Sequence, residues 1–255
     1  MTSLSVLLII NNEEKQLQQC MKRLSFADEI IVILDKCTDR SEEIARNYTK
    51  KIFSGSWVIE GERRNFGLEK CSKAWILEID ADERISVELK NEIISKVKNS
   101  SYDWHLIELN NYVGKEIISF GWGAYFGKSA YIGLFRKNKK KWGNQRVHPK
   151  IFLNGKKGEK LENKLDHYYC KNISDFFIKL NSYSSARAID LSDNLPKNET
   201  FFKNISRLFS RFWKSYILRK GYKEKKIGFL IALVASLYPL VSYLKLIYRE
   251  KNSNS

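Results

Sequence analysis

Three carboxylates fall within four residues at Asp80-Ala81-Asp82-Glu83, directly after the short apolar run Trp75-Ile76-Leu77 and Ile79. The run reads as a buried strand that leaves the core at the acidic cluster. Alternation along an extended chain puts Asp80 and Asp82 on one side, with small Ala81 between them. Adjacent anions repel, and a hard divalent ion with oxygen ligands, Mg²⁺ or Mn²⁺, would relieve that repulsion. A lone DAD is more readily a solvated acidic turn. What favours chemistry is position, because ligands of open α/β sheets bind outside the carboxyl ends of the strands.

Two other predicted strands end in polar groups. Leu4 to Ile10 is a near-continuous apolar run, as expected of a parallel strand covered on both faces, and it stops at Asn11-Asn12-Glu13-Glu14. Glu29 to Leu34 stops at Asp35-Lys36-Cys37-Thr38-Asp39. Helical patterns follow each strand, a short strand falls near Ile52-Phe53, and Gly61 to Lys70 reads as the helix leading into the Trp75 strand. Strand and helix thus alternate through the first third of the chain. The expected fold is α/β, Rossmann-like, with a mostly parallel central sheet whose three polar strand ends converge on one edge. No glycine-rich dinucleotide fingerprint or P-loop is present. Any phosphate must then be held by metal and basic side chains, and Arg63-Arg64-Asn65, on the helix before the acidic strand, can supply them.

Beyond residue 85 the pattern is looser. A helix is expected over Lys90–Val97, and strands over Trp104–Leu109 and Ser129–Phe135. Lys137 to Lys141 reads as a solvated basic hairpin end. Arg146-Val147-His148-Pro149-Lys150 and Asp166-His167-Tyr168-Tyr169 flank further strands, and Ser174 to Leu191 reads as a packing helix.

The 255 residues carry 45 Lys+Arg against 29 Asp+Glu, a formal charge of +16, which calls for a polyanionic partner. Half of that excess lies between residues 203 and 226, where nine basic residues stand with the single acid Glu224. Lys203, Arg207, Arg211 and Lys214 recur at helical spacing opposite Ile205, Leu208, Phe209, Phe212 and Tyr216, the pattern of a helix lying in a lipid headgroup plane. Ile227 to Leu244 follows without a charge, interrupted by Pro239. Basic residues interleaved with a lipid-like tail, instead of lining a groove, argue against nucleic acid. The four cysteines are widely spaced and read as buried thiols in a reducing compartment. The N-terminal apolar run is read as a strand and not as a secretion signal, so the catalytic part is expected in the cytoplasm.

Leu4-to-Glu14, Glu29-to-Asp39, Arg64-Asn65-Phe66-Gly67 and Trp75-to-Glu83 resemble, in order, the successive blocks of glycosyltransferase family 2. The similarity is greatest to the branch acting on lipopolysaccharide core and related surface glycans. The resemblance implies a GT-A fold, a nucleotide-sugar donor, a divalent metal at the second aspartate of the DAD and inversion at the anomeric carbon. By position it implies that Glu13 and Asp35 contact the nucleoside, and Asp80 and Asp82 the ribose, diphosphate and metal. With Asn12, Arg64 and Asn65 these form the expected donor site, and Asp80 and Asp82 the expected metal site. One departure concerns the second strand. The family places its aspartate five residues before the Thr-Asp aspartate, where this chain has Leu34, and Asp35 stands four before Asp39. A one-residue shift turns a side chain to the other face, so Asp35 meets the nucleoside only if the chain has left the strand there. A second departure is Pro149, where similar transferases often carry a glutamate base.

Transfer needs a base for the acceptor hydroxyl. His148 and Asp166 are the candidates, alongside Asp82 as the catalytic metal ligand. Structural alternatives for His148 and His167 are a hydrogen bond at a strand end or a contact to donor phosphate. The expectation is an inverting hexosyltransferase with a catalytic domain at 1–198 and a membrane-associating tail at 199–255. It would use a nucleotide diphosphate sugar and a lipopolysaccharide-core or other lipid-linked acceptor. It would sit as a peripheral or monotopic protein on the anionic cytoplasmic face of the bacterial inner membrane. The alternatives are a sugar nucleotidyltransferase, which would release diphosphate, and a non-catalytic membrane-associated binding protein.

Overall fold

The computed structural model of the chain describes residues 3–124, 130–144, 149–193 and 199–253. Its elements in order are β1 (Leu4–Ile10), α1 (Glu14–Met21), β2 (Glu29–Asp35), α2 (Ser41–Arg46), β3 (Ile52–Gly55), α3 (Glu60–Lys70), β4 (Trp75–Ile79), β5 (Glu83–Arg84) and α4 (Val87–Asn99). They continue with β6 (Trp104–Val113), β7 (Glu116–Ile117), β8 (Ala130–Arg136), β9 (Lys140–Trp142), β10 (Ile151–Leu153), β11 (Leu165–Cys170), α5 (Ile173–Asp193), α6 (Phe201–Trp213) and α7 (Lys225–Ser253). The chain divides into two compact units, Met1–Leu109 with Lys128–His167, and Asn110–Gly127 with Tyr168–Ser255.

In the first unit β3, β2, β1 and β4 lie side by side and parallel, with Val6 opposite both Ile30 and Leu77. The second half of this sheet is antiparallel: β8 pairs with β4 and β6 with β8. Both faces of β1 are covered. Val6, Leu8 and Ile10 pack with Leu17, Met21, Leu89 and Ile93 from α1 and α4. Leu7 faces the other way with Ile31, Ile33, Ile76 and Phe135. Each such aliphatic side chain contributes about 1.5–3 kcal/mol when fully buried, which is why the continuous apolar runs of the sequence become the central strands. The α3 helix lies directly on the second face. A Cβ at Gly67 would stand 2.8 Å from Leu7 Cδ1 and 3.1 Å from Ile33 Cγ1, so any larger residue there must displace the Leu7 side chain.

The basic segment Lys137–Lys141 departs from the expected solvated hairpin. Lys140 is buried, and its ammonium donates to Glu78 Oε2 at 2.6 Å and to the Ile132 carbonyl at 2.8 Å. The sequence pattern of neighbouring lysines could not reveal that one of them answers a glutamate buried in β4.

The second unit is largely helical. Here α7 packs against both α5 and α6, around Val113, Ile118, Cys170, Phe176, Ile231 and Val234, with Ala188, Leu191 and Leu246 in a smaller cluster. Glu224 accepts from the Ser119 and Phe120 amides at 2.8 and 2.9 Å, and Lys245 donates to the Asn181 carbonyl at 2.7 Å. Thr200 caps α6 by accepting from the Lys203 amide. The regular helix ends at Trp213, earlier than the periodicity suggests, and widens into a π-helical turn over Lys214–Leu218. Pro239 lies inside α7. Among the described residues one helix, Gly221–Tyr248, is long and apolar enough to cross a membrane by length and composition, and 33% of its apolar window is buried.

Candidate functional site

Because β2, β1 and β4 are parallel neighbours, their carboxyl ends open onto one edge, and the polar strand ends meet there. Asn12, held at φ 55°, turns its Oδ1 to the amides of Thr38 and Asp39 at 2.8 and 3.3 Å. Asp39 in turn accepts from the Glu14 and Ser41 amides at 2.9 and 3.0 Å, which ties the loop after β2 to the start of α1. These amide bonds lower the Asp39 pKa against the opposing effect of burial. Glu13 is half-buried; its carboxylate accepts from Gln16 Nε2 at 2.7 Å and its amide donates to Ser41 Oγ at 2.9 Å.

Asp35 is the last residue of β2 and pairs with Gly55 in regular register. It therefore shares the face of Ile31 and Ile33, the face covered by α3. Its carboxylate accepts from Arg63 Nη1 at 2.6 Å and from the Trp57 amide at 3.1 Å. Arg63 keeps its Nε buried without a hydrogen-bond partner. Asn65 is engaged with main chain: it donates to the Trp142 carbonyl at 2.8 Å and accepts from the Trp142 amide at 2.9 Å. The neighbouring first turn of α3 comes so near that a Cβ on Gly61 would stand 1.8 Å from the Gly143 carbonyl oxygen.

Arg64 is a hub. Its guanidinium meets Glu60 at 2.8 Å, Glu78 at 2.6 Å and Asp80 at 3.8 Å and stacks over the Trp142 ring at 4.7 Å. Burial alone would lower its pKa, but Glu78, Asp80 and Glu60 together raise it, so the cation is firmly held. Glu78 is the mirror image: burial pushes its carboxyl up, while Lys140 and Arg64 more than offset this and leave it below the usual range.

The acidic cluster is a turn, not a continuation of the strand. Here β4 stops at Ile79, and the Glu83 amide closes back on the Asp80 carbonyl at 3.0 Å. Strand alternation is therefore not what places Asp80 and Asp82. Glu83 goes inward: fully buried, it accepts from the Asp80 amide at 2.9 Å and the Tyr131 hydroxyl at 3.2 Å. Arg84 staples the turn, donating to the Ala81 and Glu83 carbonyls at 2.7 Å each and to the Gln16 carbonyl at 2.9 Å. The carboxylates of Asp80 and Asp82 remain half-buried at the sheet edge.

Residue Asp82 has a neighbour that sequence reasoning did not choose. His167 Nε2 lies 3.4 Å from Asp82 Oδ2, because β11 pairs antiparallel with β5 and sets His167 opposite Glu83. Asp166, the residue before it on β11, is half-buried and stands opposite Arg84 in the same register. The other candidate base, His148, lies outside the described residues. Among those described, no three His, Cys, Asp or Glu side chains gather as a complete metal cage. The donor set nevertheless fits Mg²⁺ or Mn²⁺: such an ion shared with phosphates needs only one or two protein carboxylates, and an imidazole beside them suits Mn²⁺.

Comparison with known proteins identifies the family. Over 257 residues the chain is 24% identical to a lipopolysaccharide core biosynthesis glycosyltransferase, LpsC, of Rhizobium meliloti (strain 1021), covering 97% of this chain and 93% of the relative. It is 25% identical to an uncharacterized glycosyltransferase of Rickettsia typhi, covering 92% and 83%. Among solved structures, Staphylococcus aureus TarS 1–349 aligns over 99% of this chain and 92% of that one at 15% identity, with a TM-score of 0.49. Glucosyl-3-phosphoglycerate synthase from Mycobacterium tuberculosis, in complex with Mn²⁺ and UDP-glucose, aligns over 42% of each chain at 20% identity and a TM-score of 0.36. The glycosyl transferase family 2 model matches residues 5–154, more than half of the chain. The protein is thus a glycosyltransferase of family 2, with the mixed α/β, GT-A type of fold that the strand order of its first unit displays.

Proposed function

We propose that the chain is an inverting hexosyltransferase that moves a sugar from a nucleoside diphosphate to a lipopolysaccharide-core or other lipid-linked acceptor. The observation that carries this reading is the meeting of Asp82 and His167 at the carboxyl edge of the parallel strands. The similarity to a lipopolysaccharide core enzyme supports the acceptor class. In this reading Asp82 and His167, which lie together, hold a divalent ion shared with the donor diphosphate, Asp80 adds its charge from the same turn, and Asp35, Glu13 and the Asn12 loop receive the nucleoside. Arg63, with its buried unpartnered Nε, offers a donor to the bound nucleotide. A divalent ion held there supplies positive charge against the leaving diphosphate. Arg64 fixes Asp80 from behind, and Arg84 fixes the turn that presents Asp82. In an inverting displacement the acceptor oxygen attacks the anomeric carbon as the bond to diphosphate breaks, and the acceptor proton passes to a base. The segment 199–255, with its basic helix, would keep the enzyme at the cytoplasmic membrane surface, where a lipid-linked acceptor is met.

The test is turnover by the purified chain on a panel of nucleotide sugars with Mg²⁺ or Mn²⁺, read by nucleoside diphosphate release and by the anomeric configuration of the product. Release of inorganic diphosphate would instead identify a nucleotidyltransferase, and a retained configuration would exclude inversion.

A further inference from the structure

The helical unit holds a second concentration of charge that donor chemistry does not use. Arg187 on α5, Arg207 and Arg211 on α6 and Lys214 in the π-helical turn line one open cavity of about 460 Å³, together with Ser210 and Pro239. Cations gathered around one space repel one another, and carboxylates usually relieve this. Arg207 has such a partner in Glu199. Among the described residues Arg187, Arg211 and Lys214 have no ion-pair partner. The Nε of Arg187 is buried without a hydrogen-bond partner, and its guanidinium stands 5.6 Å from the Tyr238 ring centre, held by an aromatic face and not by an acid. Burial, followed by the charges of Arg187 and Arg207, lowers the pKa of Arg211, with Tyr238 opposing. A buried orphan donor and an uncompensated half-buried cation both cost stability. An anion with several acceptor oxygens placed in the cavity offsets the uncompensated charge, and guanidinium groups match a phosphate bidentately.

The same helix indicates where that phosphate comes from. At about 100° per residue, Phe202, Phe209 and Trp213 fall along one side of α6, exposed to 82%, 68% and 58%. Lys203, Arg207, Arg211 and Lys214 fall along the adjoining side. A cationic cavity bordering an aromatic stripe matches a lipid, whose headgroup and hydrocarbon lie next to each other. We propose that this cavity binds the phosphate group of an anionic lipid, with Arg187, Arg211 and Lys214 as its ligands. The choice of a lipid over a soluble phosphate ester rests on the membrane-surface reading above; the phosphate site itself does not.

The experiment uses the full chain and two sets of phosphatidylcholine vesicles with equal surface charge, one doped with phosphatidic acid and the other with oleic acid, which carries no phosphate. The native chain is expected to bind the phosphatidic acid vesicles about tenfold tighter. In Arg187→Gln/Arg211→Gln the preference falls to none, while binding to oleate vesicles persists. In Lys203→Gln/Lys226→Gln, which removes equal charge outside the cavity, binding to both vesicles weakens in parallel and the preference stays. Should Arg187→Gln disturb folding, seen as a lowered melting temperature, Arg211→Gln/Lys214→Gln carries the same comparison. Equal binding of the native chain to both vesicles, or a preference that survives in the cavity variants, overturns the proposal. Thermal stabilisation by glycerol phosphate without any vesicle preference assigns the cavity to a soluble ester and overturns the lipid. Nucleoside diphosphate binding, measured by calorimetry on the same variants, is expected to be unchanged, so the donor-site reading stands or falls separately.

Discussion

His167 Nε2 stands 3.4 Å from Asp82 Oδ2, although one residue lies on the turn after β4 and the other on β11. The pair forms where β11, itself seated beside β6, takes the two-residue β5 in antiparallel register. If the two share a metal with the donor diphosphate, each is needed for a different share of the same affinity. Asp82→Asn is expected to abolish transfer, since loss of Lewis-acid help is worth several kcal/mol, with an unchanged melting curve. His167→Ala is expected to raise the Mn²⁺ concentration needed for half-maximal stabilisation by a nucleoside diphosphate by about tenfold or more. A thermal-shift titration of Mn²⁺ checks both; unchanged metal dependence in either variant removes that residue from the site.

Asp35 is expected to govern nucleotide affinity. Its carboxylate holds Arg63 and the Trp57 amide, so Asp35→Ala removes both a charged contact and the anchor of the arginine beside it. A hydrogen bond to a charged group contributes about 1.5–3 kcal/mol, which predicts at least a tenfold rise in the dissociation constant. Calorimetry with nucleoside diphosphate measures it directly. An unaltered constant would place the nucleoside elsewhere.

The Glu78 network should show as stability. Glu78 is paired to both Arg64 and Lys140, each at 2.6 Å. Breaking a buried pair from one side leaves an uncompensated charge and costs about 3–5 kcal/mol. Glu78→Gln leaves two cations facing a neutral amide and is expected to lose stability on that scale in urea denaturation. Lys140→Met is expected to lose less, since Arg64 still answers the carboxylate.

Glu29 predicts a specific acid limb. It is buried and accepts from Ser5 and Lys51 and, at 2.8 Å, from both the amide and the hydroxyl of Ser72. Burial opposes ionisation, but these donors prevail and lower its pKa from 4.5 to about 2. The folded pKa lies below the unfolded one, so the stabilisation is complete above pH 4.5 and is lost as pH falls toward 2. It amounts to about 3 kcal/mol at neutral pH. In Glu29→Gln the stability difference from the native chain should shrink through that window, as read by denaturation at successive pH values.

The aromatic stripe of α6 should set membrane partition. Phe202, Phe209 and Trp213 are exposed, so replacing all three by Ser removes little from the fold. Burial of one such side chain in an apolar phase is worth about 1.5–3 kcal/mol. Flotation with anionic liposomes is therefore expected to fall by at least tenfold, with the melting temperature held.

Much of the first unit was legible because its signals are local. Apolar runs of five to seven residues gave β1, β2 and β4, and the polar residues after them marked the edge of the proposed donor site. Pairings across long stretches of chain were not legible. Nothing near His167 in sequence points to Asp82, and nothing near Lys140 points to Glu78. The acidic cluster misled in a subtler way, since alternation was extended past Ile79 into a turn that Arg84 and Glu83 organise from beneath. In the helical unit, α5 read as simple packing. Its Arg187 acquires meaning only with the α6 arginines that line the same cavity.

The side-chain amide of Asn65 has a kinetic consequence. The β9–β10 hairpin stands off the main sheet as a separate two-stranded sheet, and an isolated hairpin of that size is marginal in water. Asn65 satisfies both main-chain groups of Trp142, acting as a one-residue third strand. Beside the anchor of Lys140 in β4 and β8, the hairpin thus takes part of its order from α3, and the two should open together. Amide hydrogens of β9, β10 and the turn of α3 that carries Asn65 are expected to exchange with a single opening free energy. Asn65→Ala should uncouple them, leaving the helix protected while the hairpin exchanges early.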